Sequence, residues 1–182
     1  MRGPKSIEVK LDLKFFSIGG TWEPNDVERK AAWEMYVELC TRISVVPLRD
    51  GIAREALTSL YSLFGQSREI LRRYGPDLAQ PRRDGEYNLG FLTVAMLNLV
   101  LRPVLSQWHP ELQVWESERA ATSSVKAHED AWPRIGELRS ALEQTRLVLV
   151  TYAGLLAKAC GVPDLSAQIN SIITAQGQLP PV

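Results

Sequence analysis

A strict two-residue alternation opens this chain and limits its folding more than any other feature. Across residues 7–15, Ile7, Val9, Leu11, Leu13 and Phe15 alternate with Glu8, Lys10, Asp12 and Lys14. In an extended strand, that order puts the apolar set on one face and the charges on the other. A single strand leaves a row of backbone donors and acceptors unpaired, so it requires a partner. No other segment alternates as well. Residues 44–48, broken by Pro47, and the short stretch 112–116 are the internal candidates. The sequence leaves open whether one of these pairs with the strand or a sheet edge on another chain does. The second is the leading expectation, because strand addition completes the backbone hydrogen bonds that the weak internal partners leave unmade.

The rest of the chain reads as helices, separated from the strand by a break at Gly19-Gly20. Pro24 and the pair Asn25/Glu28 mark a capping-box start for the first helix, which Pro47 is expected to end. Asp50 is the expected N-cap of a second helix running to Tyr74, where Gly75-Pro76 stops it. A third helix over 88–108 is apolar almost all round, with Asn98 and Arg102 as its strongly polar interior positions. Pro103 is expected to kink it, and Pro110 to end it at His109, leaving a long link over 109–127. The fourth helix carries a 3-4 repeat of Ile135, Leu138, Leu142, Thr145, Leu149, Tyr152, Leu156 and Ala159. A short helix over 164–176 follows it.

This pattern predicts a mainly α protein, an antiparallel four-helix bundle with an N-terminal β-strand and a short C-terminal helix. Residues 1–18 form the strand arm, 19–176 the bundle domain and 177–182 a loose tail. The formal net charge is zero, which argues against a surface built wholly for nucleic acid. The charged, alternating opening does not read as a signal peptide. Residues 89–101 are uncharged over only 13 positions, against the roughly 20 that a membrane span needs. A cytoplasmic protein with no membrane contact is expected, and 15 Arg against 6 Lys hints at a GC-rich bacterial source. Cys40 and Cys160 sit in apolar helical patterns at opposite ends of such a bundle, as buried thiols rather than a disulfide. Trp22 and Trp115 fall in links, where an aromatic pins the loop or anchors a partner.

Chemical motifs are few. No phosphate-binding glycine loop, metalloprotease helix or nucleophile elbow occurs. The two histidines, His109 and His128, close the third helix and open the fourth region, so antiparallel packing brings them to one end. With Glu129 and Asp130 beside them, they are candidate metal ligands or proton-transfer groups (His109, His128 and Glu129 for catalysis; His109, His128 and Asp130 for metal). The bland reading gives His109 to the last helical carbonyls and the two carboxylates to a helix dipole, and it is preferred. Arg68, Arg72, Arg73, Arg82 and Arg83 form a candidate nucleic-acid patch, opposed by the interspersed Glu69, Asp77 and Asp84. No cofactor is implied. The leading expectation is a non-enzymatic interaction or adaptor protein in a homo-oligomer or larger complex, bound through Ile7, Val9, Leu11, Leu13 and Phe15. A small metal-dependent helical enzyme and a nucleic-acid accessory are the alternatives.

Overall fold

The computed structural model describes residues 3–13 and 16–176, and the chain is mainly helical with a small sheet at its N-terminal end. The alternating segment forms strand β1 (Ile7–Leu13). It finds a partner in the chain itself, which corrects the expectation that no good second strand exists. Strand β2 (Phe16–Trp22) runs antiparallel to it, with Ile7 opposite Trp22, Val9 opposite Gly20 and Leu11 opposite Ile18. Period-two geometry then puts Ile7, Val9, Leu11, Ile18 and Trp22 on one face, and all five are buried. The two-residue strand β3 (Glu86–Tyr87) lies parallel to the end of β2, so the order is β1-β2-β3 and β1 is an edge. Neither 44–48 nor 112–116 enters this sheet. Phe15, the side chain of Leu13 and the tail 177–182 lie outside the described residues.

Gly19-Gly20 is therefore not a break but the interior of β2. A Cβ on Gly20 would come within 2.3 Å of the Gly85 carbonyl oxygen, and Thr21 N–H donates to that same oxygen at 2.9 Å. Glycine stands there because a second backbone approaches closely. Gly85 itself has φ +78°, in the left-handed region that glycine enters at little cost.

Helix α1 (Asp26–Cys40) starts with the expected capping box: Asn25 Oδ1 accepts from Glu28 N–H at 2.8 Å, and Asn25 N–H donates to Glu28 Oε2 at 2.9 Å. It ends at Cys40, well before Pro47, and a single turn of 3-10 helix (Ile43–Val45) follows. Helix α2 (Ala53–Tyr74) ends at Gly75, with φ +64°, as the Gly-Pro signal predicts. Its N-cap is Ile52, not Asp50, and no side chain next to it in sequence closes its first turn.

Helix α3 (Leu89–Ser117) starts at Asn88, whose side chain accepts from Phe91 N–H, and it runs through both prolines. Pro110 does not end it at His109. Over Met96–Leu101 the turns widen to π geometry, and Arg102 N–H reaches back five residues to the Leu97 carbonyl. The wide turn leaves room for Pro103, which has no N–H to give and would press on the carbonyl four residues earlier. The expected link over 109–127 shrinks accordingly. Helix α4 (Val125–Asp130), capped by Ser124, precedes helix α5 (Ile135–Cys160), and helix α6 (Leu165–Gln176) completes the described chain. In α5 the residues Leu138, Leu142, Thr145, Leu149, Tyr152, Leu156 and Ala159 are buried, as their spacing predicts. By length and composition alone α3 is long and apolar enough to cross a membrane, but half of its most apolar window is buried by the rest of the chain.

Side-chain contacts fix how the helices run. Glu34 meets Tyr74 while Arg42 meets Ser62, so α2 returns along α1. Arg54 meets Glu116 while Phe64 lies under Arg102, so α3 returns along α2. Thr93 meets Tyr152 at 3.0 Å while Arg134, on the turn before α5, meets Glu111, so α5 returns along α3.

The groups that lock this arrangement are two buried carboxylates. Glu28, 0 % exposed, accepts four hydrogen bonds: Trp22 Nε1 (3.1 Å) and Leu89 N (2.9 Å) on Oε1, Asn25 N (2.9 Å) and Arg82 Nη2 (2.7 Å) on Oε2. Glu129, 2 % exposed, accepts from Ala53 N (2.7 Å) and Arg54 N (3.1 Å), closing the first turn of α2 from a distant helix. A carboxylate at a helix N-terminus satisfies orphan N–H groups and suits the dipole. Replacing Glu28 by Ala strands three neutral N–H donors and the Arg82 guanidinium. Glu28→Ala is expected to lose about 3–5 kcal/mol in urea unfolding, whereas Asn25→Ala, which removes only the local cap, loses about 1 kcal/mol.

Candidate functional site

The solvent face of β1 combines two features that the fold does not consume. As the edge of the sheet, β1 meets β2 along one side and packs on α5 beneath. Its other backbone side pairs with no strand among the described residues. Glu8, Lys10 and Asp12 are exposed on the outer face. Lys10 and Glu8 form an ion pair at 2.7 Å with 75 % and 68 % of their side chains in water. That contact lowers the Glu8 pKa and raises that of Lys10, chiefly through their mutual hydrogen bond. The apolar side chains Ile7, Val9 and Leu11 are turned into the chain's own core, so they do not offer an apolar surface to a partner. What remains available is the backbone edge and the charge row.

The histidines reach the same end of the molecule but do not meet as a site. His109 is faced by Arg54, whose Nη1 donates to His109 Nδ1 at 3.1 Å and whose Nε and Nη2 hold Glu116 at 2.8 Å. A metal ion would need the lone pair that Arg54 occupies, and would sit beside a fixed cation. His128 stacks on Trp115 with ring centroids 4.7 Å apart, donating from Nε2 to the Trp115 carbonyl while Trp115 Nε1 donates to the His128 carbonyl, both at 2.8 Å. Trp115 is thus a pin between α3 and α4. Glu129 is occupied at the start of α2, and Asp130 pairs with Lys126 and Arg139. Trp108 and Trp132, edge to face at 6.0 Å, fill the α3–α5 junction, with Arg134 over the Trp108 ring. Among the described residues no group of three or more His, Cys, Asp or Glu is arranged to hold a metal ion.

The arginine set disperses as well. Arg72 pairs with Glu69, Arg73 with Glu34, and Arg82 turns inward to Glu28. Arg83 gives its carbonyl to Glu86 N–H, and Arg68 lies over Phe64. Three of the five guanidiniums are thus paired with carboxylates rather than presented free to a phosphate backbone. Cys40 and Cys160 are free thiols. Burial raises both pKa values, that of Cys160 to about 11, so neither is a thiolate at neutral pH.

Sequence reasoning missed Arg54, Glu116 and Arg139, which hold the His109 end together. Their partners stand 62 and 90 positions away, and no local pattern marks such pairs. Comparison with family models, curated proteins and solved structures finds no match to this chain.

Burial, and then the positive charge of Arg54, lower the pKa of His109 below its ordinary 6.5. The unfolded chain then binds the proton more readily, so this group's contribution to stability is fully present above about pH 6.5 and is lost as pH falls through the lowered value. Urea unfolding from pH 7.5 to 5 is expected to show this loss, and His109→Asn is expected to flatten it.

Proposed function

We propose that the protein is a non-enzymatic interaction protein that self-associates by pairing the β1 edges of two copies, with its long helices α1, α2, α3 and α5 serving as an antiparallel four-helix scaffold. The observation that carries this reading is the self-complementary charge order of the exposed strand edge. An antiparallel pair centred on Leu11 puts Lys10 opposite Asp12 twice. Each opposite-charge pair across strands contributes about 0.2–1 kcal/mol, and like charges placed opposite oppose pairing. Shifting the centre to Lys10 places Lys10 against itself and Glu8 against Asp12. The charge row therefore favours a second copy in one register and disfavours its neighbour. Residues facing each other across a strand pair lie on the same side of the sheet, so the two buried faces stay continuous.

This is a closed, two-fold arrangement, which removes the unpaired edge instead of propagating it. The crossing contacts between α1, α2, α3 and α5 support the bundle reading of the scaffold. A cytoplasmic setting belongs to the same proposal, as does a larger assembly in which the β1 edge meets another protein's sheet. The engagement of Arg54 with His109, and of Trp115 with His128, favours this reading over a metal-dependent enzyme.

Light scattering coupled to size exclusion tests it. The intact chain is expected at twice its mass of 20.4 kDa, and Lys10→Glu is expected as a monomer because acidic groups then face each other. The double variant Lys10→Glu with Asp12→Lys exchanges the signs and is expected to restore the dimer. A monomeric intact chain, or a dimer indifferent to Lys10→Glu, would overturn the proposal.

A further inference from the structure

An open cleft of about 620 Å3 runs along the outer seam between α2 and α3, walled by Tyr61, Phe64 and Arg68 from α2 and by Arg102, Leu105 and His109 from α3. Small-molecule sites commonly span about 300–1,000 Å3 and combine apolar walls with a few convergent polar groups. Here the convergent groups are two guanidiniums. Arg68 Cζ lies 4.6 Å and Arg102 Cζ 5.4 Å from the centroid of the same Phe64 ring. Like charges brought over one ring repel, and no Asp or Glu lines the cleft to offset them. Arg102 uses its Nε on Asn98 Oδ1 at 2.9 Å, and among the described residues its terminal nitrogens make no hydrogen bond. Among the described residues Arg68 meets the Phe64 face and no carboxylate.

The remaining walls are flat and apolar. Tyr61, 66 % exposed, tilts against His109 with ring centroids 5.8 Å apart, and Leu105 is buried beneath. Gly65 lies on the α2 wall, and nothing stands within 4 Å of the place a Cβ would take. A glycine in a helix interior is unfavourable relative to alanine; here it keeps the cleft open.

A guanidinium offers a planar fork of donors that matches a carboxylate or a phosphate, and it retains those donors while stacked on an aromatic face. We propose that this cleft binds a small aromatic organic anion, its carboxylate or phosphate held by Arg68 and Arg102 where they lie on Phe64 and its ring lying against Tyr61. The site is independent of the β1 edge, on a different pair of elements. Arg72, Arg73 and Arg82 are paired with carboxylates elsewhere, so the charge here is a local pair suited to a compact anion rather than a track for a polymer.

Calorimetric titration of the full chain with phenyl phosphate, phenylacetate, inorganic phosphate and benzyl alcohol tests this. Both aromatic anions are expected to saturate one site, the tighter of them identifying the head group. Inorganic phosphate and benzyl alcohol, each lacking one half of the ligand, are expected to bind at least about tenfold more weakly. Arg68→Ala and Arg102→Ala are each expected to weaken the aromatic anion by about tenfold or more. Gly65→Leu, which fills the cleft and removes no charge, is expected to do the same, while Arg72→Ala, paired with Glu69 outside the cleft, leaves binding unchanged. Circular dichroism melts report that each variant is folded. The proposal is overturned if neither aromatic anion saturates by about 10 mM, if folded arginine variants bind like the intact chain, or if inorganic phosphate binds equally well.

Discussion

The fold hangs on one carboxylate. Glu28 is wholly buried, and its two oxygens receive two donors each from four separate parts of the chain. Trp22 ties in the end of β2, Asn25 the start of α1, Arg82 the connection after α2, and Leu89 the first turn of α3. A buried charge is tolerated only when paired and hydrogen-bonded, so these four elements are held to one geometry. A hydrophobic core of comparable volume would accept several. Glu129 repeats the device at the opposite region, where it closes α2 and is approached by Arg139 at 3.7 Å. In both places a helix begins against a side chain supplied from far along the sequence, and helix starts are coupled to tertiary structure.

That coupling explains what was legible in the sequence. The 3-4 seam of α5, the Asn25/Glu28 box of α1 and the Gly75 stop of α2 are local patterns, and each appears where it was read. β1 was legible for the same reason. Its partner was not, because β2 carries Gly19 and Gly20 in place of an apolar alternation, and the reason for Gly20 is a carbonyl at residue 85. The start of α2 was misread at Asp50 because its cap comes from Glu129. Pro110 was read as a terminator, yet a proline removes one N–H from a helix and α3 is long enough to continue past it.

The candidate sites divide along the same line. The charge row on β1 was visible as alternation, but its value as an edge depends on β2 taking the other side. The arginines grouped by sequence proximity take separate partners: Arg82 faces the core while Arg68 joins Arg102, which stands 34 positions later, over a shared ring. The histidines do share an end of the molecule, as antiparallel packing predicted. Arg54 and Trp115, each from a different element, turn them into structural contacts. Proximity came from topology; chemistry was decided by the third residue at each contact.

The π segment of α3 gives the molecule a sensitive ruler. An α-helix turns about 100° per residue, and the extra residue carried by Met96–Leu101 sets the angular position of everything after it. Closing this window as ordinary α-helix at unchanged chain length would rotate the half beyond by about that angle, whereas removing one residue as the turn closes would leave that half in place. In the first case Trp108 and Leu112 would swing out of the interior, and Arg102 would leave its place beside Phe64. Length variation in α3 is thus governed by geometry. The helix can grow or fray beyond Ser117 at little consequence, whereas its middle tolerates the loss of the one residue that the wide turn carries and, for any other change of length, alters which residues the protein shows to solvent.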